Sequence, residues 1–198
     1  MAHPAGFLVI ALSLLPLPGL LAQEATWRID PLHSLAQFSV RHMMISTVRG
    51  QFGGVRGNVK YDPANPSASM VEATIDCTTI NTGEPKRDSD LKGEEFFDVK
   101  KYPVMKFRSK RVDVAGPGRL KVTGDLTINA ITKQVVLDLE GPTAPIKDTL
   151  GRVKIGLSAT TKISRREFGI LYNPLLETGG VAVSDAVSIV LDIELIHN

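Results

Sequence analysis

The chain has 198 residues and nearly balanced charge, 23 Lys plus Arg against 21 Asp plus Glu. With both signs interspersed it carries no basic footprint for nucleic acid. A single cysteine, Cys77, excludes an intrachain disulfide and any multi-cysteine metal site, and the length suits one domain with a real core.

The N-terminus reads as a leader. Gly6 to Leu15 is an apolar run with one serine, followed by Pro16, Pro18 and Gly19 and then Leu20-Leu21-Ala22-Gln23, the pattern of an h-region and a loosely small-residue cleavage site. The run is too short for a membrane span. No Lys or Arg precedes it, and no cysteine follows it closely enough to suggest a lipid-modified terminus. An uncleaved anchor is the alternative; the short run and its prolines favour cleavage. Residues 1–22 are therefore expected to be a signal peptide and residues 23–198 the mature domain, placed in the periplasm or secreted.

From Trp27 onward, apolar and polar residues alternate with a period of two, which gives a strand one dry and one wet face. Trp27 to Val40 predicts an opening strand, interrupted or begun by Asp30-Pro31, with Ala36, Phe38 and Val40 on one face. Residues 41–53 read as a turn region with apolar content. Val55, Gly57, Val59 and Tyr61 form the next column, and Asp62-Pro63-Ala64-Asn65-Pro66 is a turn by composition. Val71, Ala73, Ile75 and Cys77 then oppose Glu72, Thr74 and Asp76. Residues 81–103 interrupt the pattern: Asp88-Ser89-Asp90 offer caps for a short helix near residues 87–99, whose Phe96-Phe97 pair needs a dry surface and would find one by closing the end of a barrel. Further columns follow at Met105-Phe107-Ser109, Leu120 to Ile128, Val135-Leu137-Leu139, Val153 to Ile163 and Val187 to Leu195, with a long glycine-bearing loop from Tyr172 to Ala186. Eight such alternations predict antiparallel strands with one apolar face, stable as two packed sheets or as one sheet rolled into a barrel.

Signals for catalysis are sparse. There is no Gly-x-Ser-x-Gly, no glycine-rich phosphate loop after a strand and no His-Glu-x-x-His. Of four histidines, His33 and His42 lie within the domain and away from its ends; they have no third ligand at close spacing, where a metal site needs three or more. They read as histidines that hydrogen-bond a strand end or loop. Arg165, just past the strand ending at Ile163, could clamp a phosphate or carboxylate with its fork of donors. By pattern alone, a surface salt bridge with Glu167 or Asp185 is the stronger reading.

The ordered set Asp30-x-x-His33-Ser34-x-x-x-Phe38, His42, Gly50-x-Phe52, Arg87-Asp88-x-x-Leu91, Phe96-Phe97-Asp98-x-x-x-Tyr102-Pro103-x-x-x-Phe107-x-Ser109, Gly124-x-Leu126-Thr127-Ile128 with Thr132-Lys133, and Arg165-x-x-Phe168-Gly169 resembles the YceI family of lipocalin-like, polyisoprenoid-binding proteins. Two departures stand out: Asn129-Ala130 where that family usually has His-Gly or Asn-Gly, and Ser164-Arg165 where it has Asn-Arg. The resemblance implies an all-β, eight-stranded antiparallel lipocalin-like barrel with a short helical insert, exported, holding a long polyprenyl chain or similar amphiphile in its tunnel. An eight-stranded barrel is just filled by side chains or opened enough for one ligand. Here inward Gly57, Ala73, Ser109, Gly124 and Ala159 leave volume.

The expected tunnel and mouth residues are His33, Ser34, Phe38, His42, Phe96, Phe97, Phe107, Leu126, Leu157, Arg165 and Phe168, with Arg165, His33 and Ser34 as head-group donors. No catalytic residue, metal or cofactor is expected. The partner would be a long-chain isoprenoid or amphiphilic lipid, quinone-like ligands included, and a homodimer is left open. Two alternatives compete: a lipid-modifying enzyme in which His33, His42 and Arg165 meet at one tunnel position, and a ligand-free stress-response interaction protein with a filled core. The leader predicts that the exported protein begins just after Ala22; an intact mass that starts at Met1 contradicts it.

Overall fold

The structure, a computed structural model, describes residues 25–174 and 181–197, so the expected leader and its cleavage site lie outside the described residues. In chain order the strands are β1 (Ala25–Ile29), β2 (Leu35–His42), β3 (Ser46–Phe52), β4 (Arg56–Tyr61) and β5 (Met70–Asp76). Helix α1 (Pro85–Leu91) follows, then β6 (Val104–Gly116), β7 (Arg119–Ile128), β8 (Ile131–Glu140), β9 (Ile146–Lys147), β10 (Val153–Ser164) and β11 (Ala186–His197).

All pairings are antiparallel and the sheet closes on itself. β11 pairs with β10 from Lys154↔Ile196 to Ser164↔Ala186. Its other edge takes β1 at Ile29↔Leu195 and β2 from Leu35↔Asp192 to Ser39↔Ser188. β1 and β2 are thus one broken stave, and β4 and β3, which lie alongside them, are another. The circuit then runs through β5, β6, β7, β8 and β10 back to β11, giving a closed eight-stranded antiparallel barrel with one short helix. β9 is a two-residue addition to β10. Closure pairs most of the edges that make an open sheet sticky, and the outer side of β3 is joined to Asn81 through Gln51.

Residues 46–52, read from sequence as part of a turn region, form β3 instead. The alternation there is carried by Val48 and Phe52 across Gly50, and the glycine is required by packing: a Cβ at Gly50 would lie 2.5 Å from Cζ of Phe38 on the neighbouring strand. Phe107 lies over Gly124 in the same way, again at 2.5 Å. A ring laid across a glycine restores the contacts that the missing side chain gives up. The helix also begins earlier than its Asp88-Ser89-Asp90 cap candidates predict. Glu84 is the cap, its carboxylate accepting from the Lys86 and Arg87 amides, with Pro85 in the first turn. Asp88 turns back instead to accept from the Thr82 amide and hydroxyl, and Phe96 and Phe97 lie in the turns beyond the helix.

The break between β1 and β2 is held by a buried polar cluster. Asp30 accepts from the Leu32 amide at 3.1 Å, from His33 Nδ1 at 2.9 Å and from Lys154 Nζ at 3.4 Å. Lys154 also donates to Glu194 Oε1 at 2.5 Å, and the Ser34 hydroxyl accepts from the Glu194 amide at 3.1 Å. A chain that leaves the ladder orphans backbone groups, and this cluster gives them partners. Burial pulls the Asp30 carboxyl upward, but the bonds from His33, Leu32 and Lys154 outweigh it and hold the group at about 2, below its ordinary 3.8. A depressed carboxyl stabilises the fold fully above its unfolded value and loses that stabilisation as pH falls through its folded value. Asp30→Asn should therefore lower stability at neutral pH by about 2 kcal/mol and flatten the decline between about pH 4 and pH 2. Urea midpoints across that range check it, and parallel curves for the two proteins would contradict it.

Candidate functional site

The inward columns do not meet in the middle. On β11, Val187, Ile189, Leu191 and Ile193 point inside yet keep accessible surface, as do Leu137 and Leu139 on β8 and Leu157 and Ile163 on β10. Their free surface faces a cavity of about 920 Å³ lined by side chains from all eight staves, near the upper end of the roughly 300–1,000 Å³ of ordinary ligand pockets. Small inward residues, Ala36, Ala73 and Ala159, help leave that space.

The cavity is polarised along its length. The wall is aliphatic and aromatic through the barrel, from Tyr61, Leu120 and Leu139 at one end to Val48, Ile163 and Val187 at the other. The charged residues lining it, Arg87, Asp90, Glu94, Glu95, Lys106 and Arg165, gather at the α1 end. There the segment after α1 crosses the opening. Phe97 sets its ring edge-on to Phe52 at 5.3 Å, Phe96 meets Tyr172 at 4.9 Å, and the Asn129 side-chain amide donates to the Phe96 carbonyl. The short turn Arg166–Phe168 seals the same end beside β10, with Phe168 almost wholly buried.

Nine of the expected residues line this cavity: Phe38, His42, Phe96, Phe97, Phe107, Leu126, Leu157, Arg165 and Phe168. His33 and Ser34 do not. Both belong to the β1/β2 break, where His33 serves Asp30 and Ser34 serves the Glu194 backbone, so their assignment as head-group donors is corrected. Arg165 is neither a surface salt bridge nor an unengaged clamp. Its guanidinium donates to the carbonyls of Ser184 at 3.0 Å, Ile170 at 2.7 Å and Val183 at 3.2 Å, knotting the loops at the barrel end. Burial, with Arg166 nearby, pulls its pKa below the usual arginine value, while Asp185 accepts from Ser164 and the Arg166 amide.

The enzyme alternative required His33, His42 and Arg165 to converge. His33 lies beside Glu194 and Arg165 beside Asp185, nine residues along the chain and so roughly 30 Å apart in extended strand. They do not meet. The filled-core alternative fails on the cavity itself. Asp30, His33 and Glu194 do place ligand-type atoms within 4.8 Å of one another, but the Lys154 ammonium already bonds both carboxylates and supplies their positive charge. Cys77 is buried, as its inward column implied, in a turn directly after β5, and burial pushes its thiol up to about 11. Sequence reasoning missed Arg87, Ile170 and Tyr172 as wall residues, since they come from a helix and a loop where no two-residue period marks an inward face.

The profile of the YceI-like domain matches residues 27–195. The chain belongs to the YceI-like family. A UPF0312 protein of Vibrio cholerae is 34% identical over 151 residues, covering 75% of this chain and 79% of that one. Among solved structures, BcnA of Burkholderia cenocepacia superposes with a TM-score of 0.71 at 23% identity, covering 84% of this chain and 98% of that one. A polyisoprenoid binding domain from Saccharophagus degradans, implicated in plant cell wall breakdown, superposes with a TM-score of 0.61 at 15% identity over 87% and 98% of the two chains. Both likenesses are likenesses of fold.

The cavity reading separates the two faces of each stave. Leu157→Arg would put an unpaired charge against an apolar wall and should abolish either folding or ligand retention. Lys121→Ala on the outer face, which removes only an exposed pair with Asp138, should shift stability by no more than about 1 kcal/mol. Thermal unfolding and a lipophilic-dye binding assay on both variants check this, and equal damage from the two would show the faces reversed.

Proposed function

We propose that this protein is an exported binding protein that holds a polyisoprenoid or similar long-chain amphiphilic lipid inside its barrel, as a carrier or reservoir. One observation carries the reading: a closed barrel with a cavity of about 920 Å³, apolar along its length and charged only towards the α1 end. Such a space suits a molecule with a long apolar tail and one polar end. Each buried methylene contributes about 0.8 kcal/mol before association costs, so a tail alone can supply tight binding. The polar end would lie under Phe96 and Phe97, near His42 and Arg87. Family membership and the polyisoprenoid-binding neighbour support the same class of ligand and favour a binding protein over an enzyme. Export rests on the apolar leader before Gln23.

The test is mass spectrometry of an organic extract of the protein purified from its native compartment. The reading expects a stoichiometric long-chain isoprenoid or related amphiphile. Extracts without such lipid, together with no uptake of a polyprenol or quinone by the purified protein, would overturn it.

A further inference from the structure

The hairpin joining β2 to β3 ends in a place where its sequence is wrong for its shape. The His42 carbonyl accepts from the Ile45 amide at 3.1 Å, and the two residues between, Met43 and Met44, have φ of 50° and 63°. Three residues, Met43 to Ile45, separate the paired His42 and Ser46, and the first two are the centre of a β-turn that calls for Asn-Gly or another pair that tolerates positive φ. Two methionines are strained there. The backbone of the tip is held by the Ala182 carbonyl and the Arg41 guanidinium, but the side chains point outward: Met43 is 41%, Met44 56% and Ile45 79% exposed. Strain held at a surface, on large apolar residues, points to a function outside the fold.

The location says what meets it. His42, next to the tip, and Val48, just beyond it, line the cavity at the α1 end, and the tip is tied to that end by the Met43 amide donating to the Ala182 carbonyl. Exposed Leu171 and Tyr172 belong to the same end, Tyr172 touching Phe96 over the opening. The apolar tip therefore stands at the rim of the mouth. The hairpin's own charge is one-signed: from Pro31 to Tyr61 the chain contains no Asp or Glu, and Arg41 and Arg49 stand exposed on either side of the tip, Arg41 donating to the Met44 carbonyl, whereas the acidic Asp90, Glu94 and Glu95 of the mouth come from α1 and the segment after it. Apolar side chains at a protruding point, flanked by arginines, match the interface of an anionic bilayer.

We propose that the Met43-Met44-Ile45 tip, with exposed Leu171 and Tyr172 at the same end of the barrel, seats the barrel mouth on an anionic lipid bilayer, so that a lipid can pass between membrane and cavity without crossing water. The proposal rests on the reading of the cavity as a lipid site, while the docking itself is measurable without any cargo.

Vesicle co-sedimentation separates the two. The protein should pellet with phosphatidylcholine vesicles containing phosphatidylglycerol and bind pure phosphatidylcholine much less. Met44→Asp with Ile45→Asp should weaken that binding about tenfold or more while leaving the thermal midpoint nearly unchanged. Met43→Asn with Met44→Gly makes the sharper prediction, since it should raise the thermal midpoint by relieving the turn and still lower vesicle binding. Ile45→Trp should show a blue-shifted emission on anionic vesicles, against the constant background of Trp27, the sole and buried native tryptophan. Equal sedimentation of the native protein and the aspartate variant overturns the proposal. So does a tip whose substitution abolishes self-association and leaves vesicle binding absent throughout, which would make it a surface for a second copy. Vesicle binding with no lipid in the extracted protein would leave docking in place and remove the cargo.

Discussion

The inward side chains of this barrel are too short to touch across it. Eight staves closed by hydrogen bonds fix a circumference, and the apolar columns of β8, β10 and β11 fill the wall without filling the centre. Everything functional follows from that mismatch between a fixed backbone ring and modest side chains. A longer set of inward residues would give the same fold with a packed core and nothing to hold. The hydrophobic surface left facing the cavity is unfavourable while it faces water, and a lipid tail would cover it.

Holding such a ring open requires that its irregularities be satisfied locally, because an unfilled interior cannot brace them. The break between β1 and β2 is secured from outside the cavity by Asp30, His33, Ser34 and Lys154. The far end of β10 is secured by Arg165, which gathers three carbonyls from the loops around it. The residues that read most readily as ligand donors thus serve the frame. Their polar chemistry keeps the wall continuous, and their hydrogen bonds go to backbone groups and to Asp30 and Glu194 and not into the cavity.

The strands were legible because each has a dry and a wet face, and a period of two survives in the sequence wherever that holds. Val187 to Leu195 reads unambiguously for this reason. β3 was hidden because Gly50 stands where an inward side chain belongs; its place is taken by the ring of Phe38, a residue twelve positions earlier that no local pattern connects to it. The roles of His33 and Arg165 were misread for a related reason. Residue type shows that a group can donate, but the acceptor, Asp30 for one and the carbonyls of residues 170, 183 and 184 for the other, is set by where the chain returns. Phe96 and Phe97 were correctly expected at a barrel end, since two adjacent aromatic rings outside any strand need a dry surface and an open end is where one exists.

The hollow interior should prefer a long apolar tail. Isothermal titration with polyprenols of increasing length measures that preference directly. Affinity should climb steeply with each added unit, up to about fourfold per buried methylene, and then level off where the tail fills the cavity, with a negative heat-capacity change that grows in parallel. An affinity independent of tail length would mean that the ligand is held at the mouth alone and that the cavity is not the binding site.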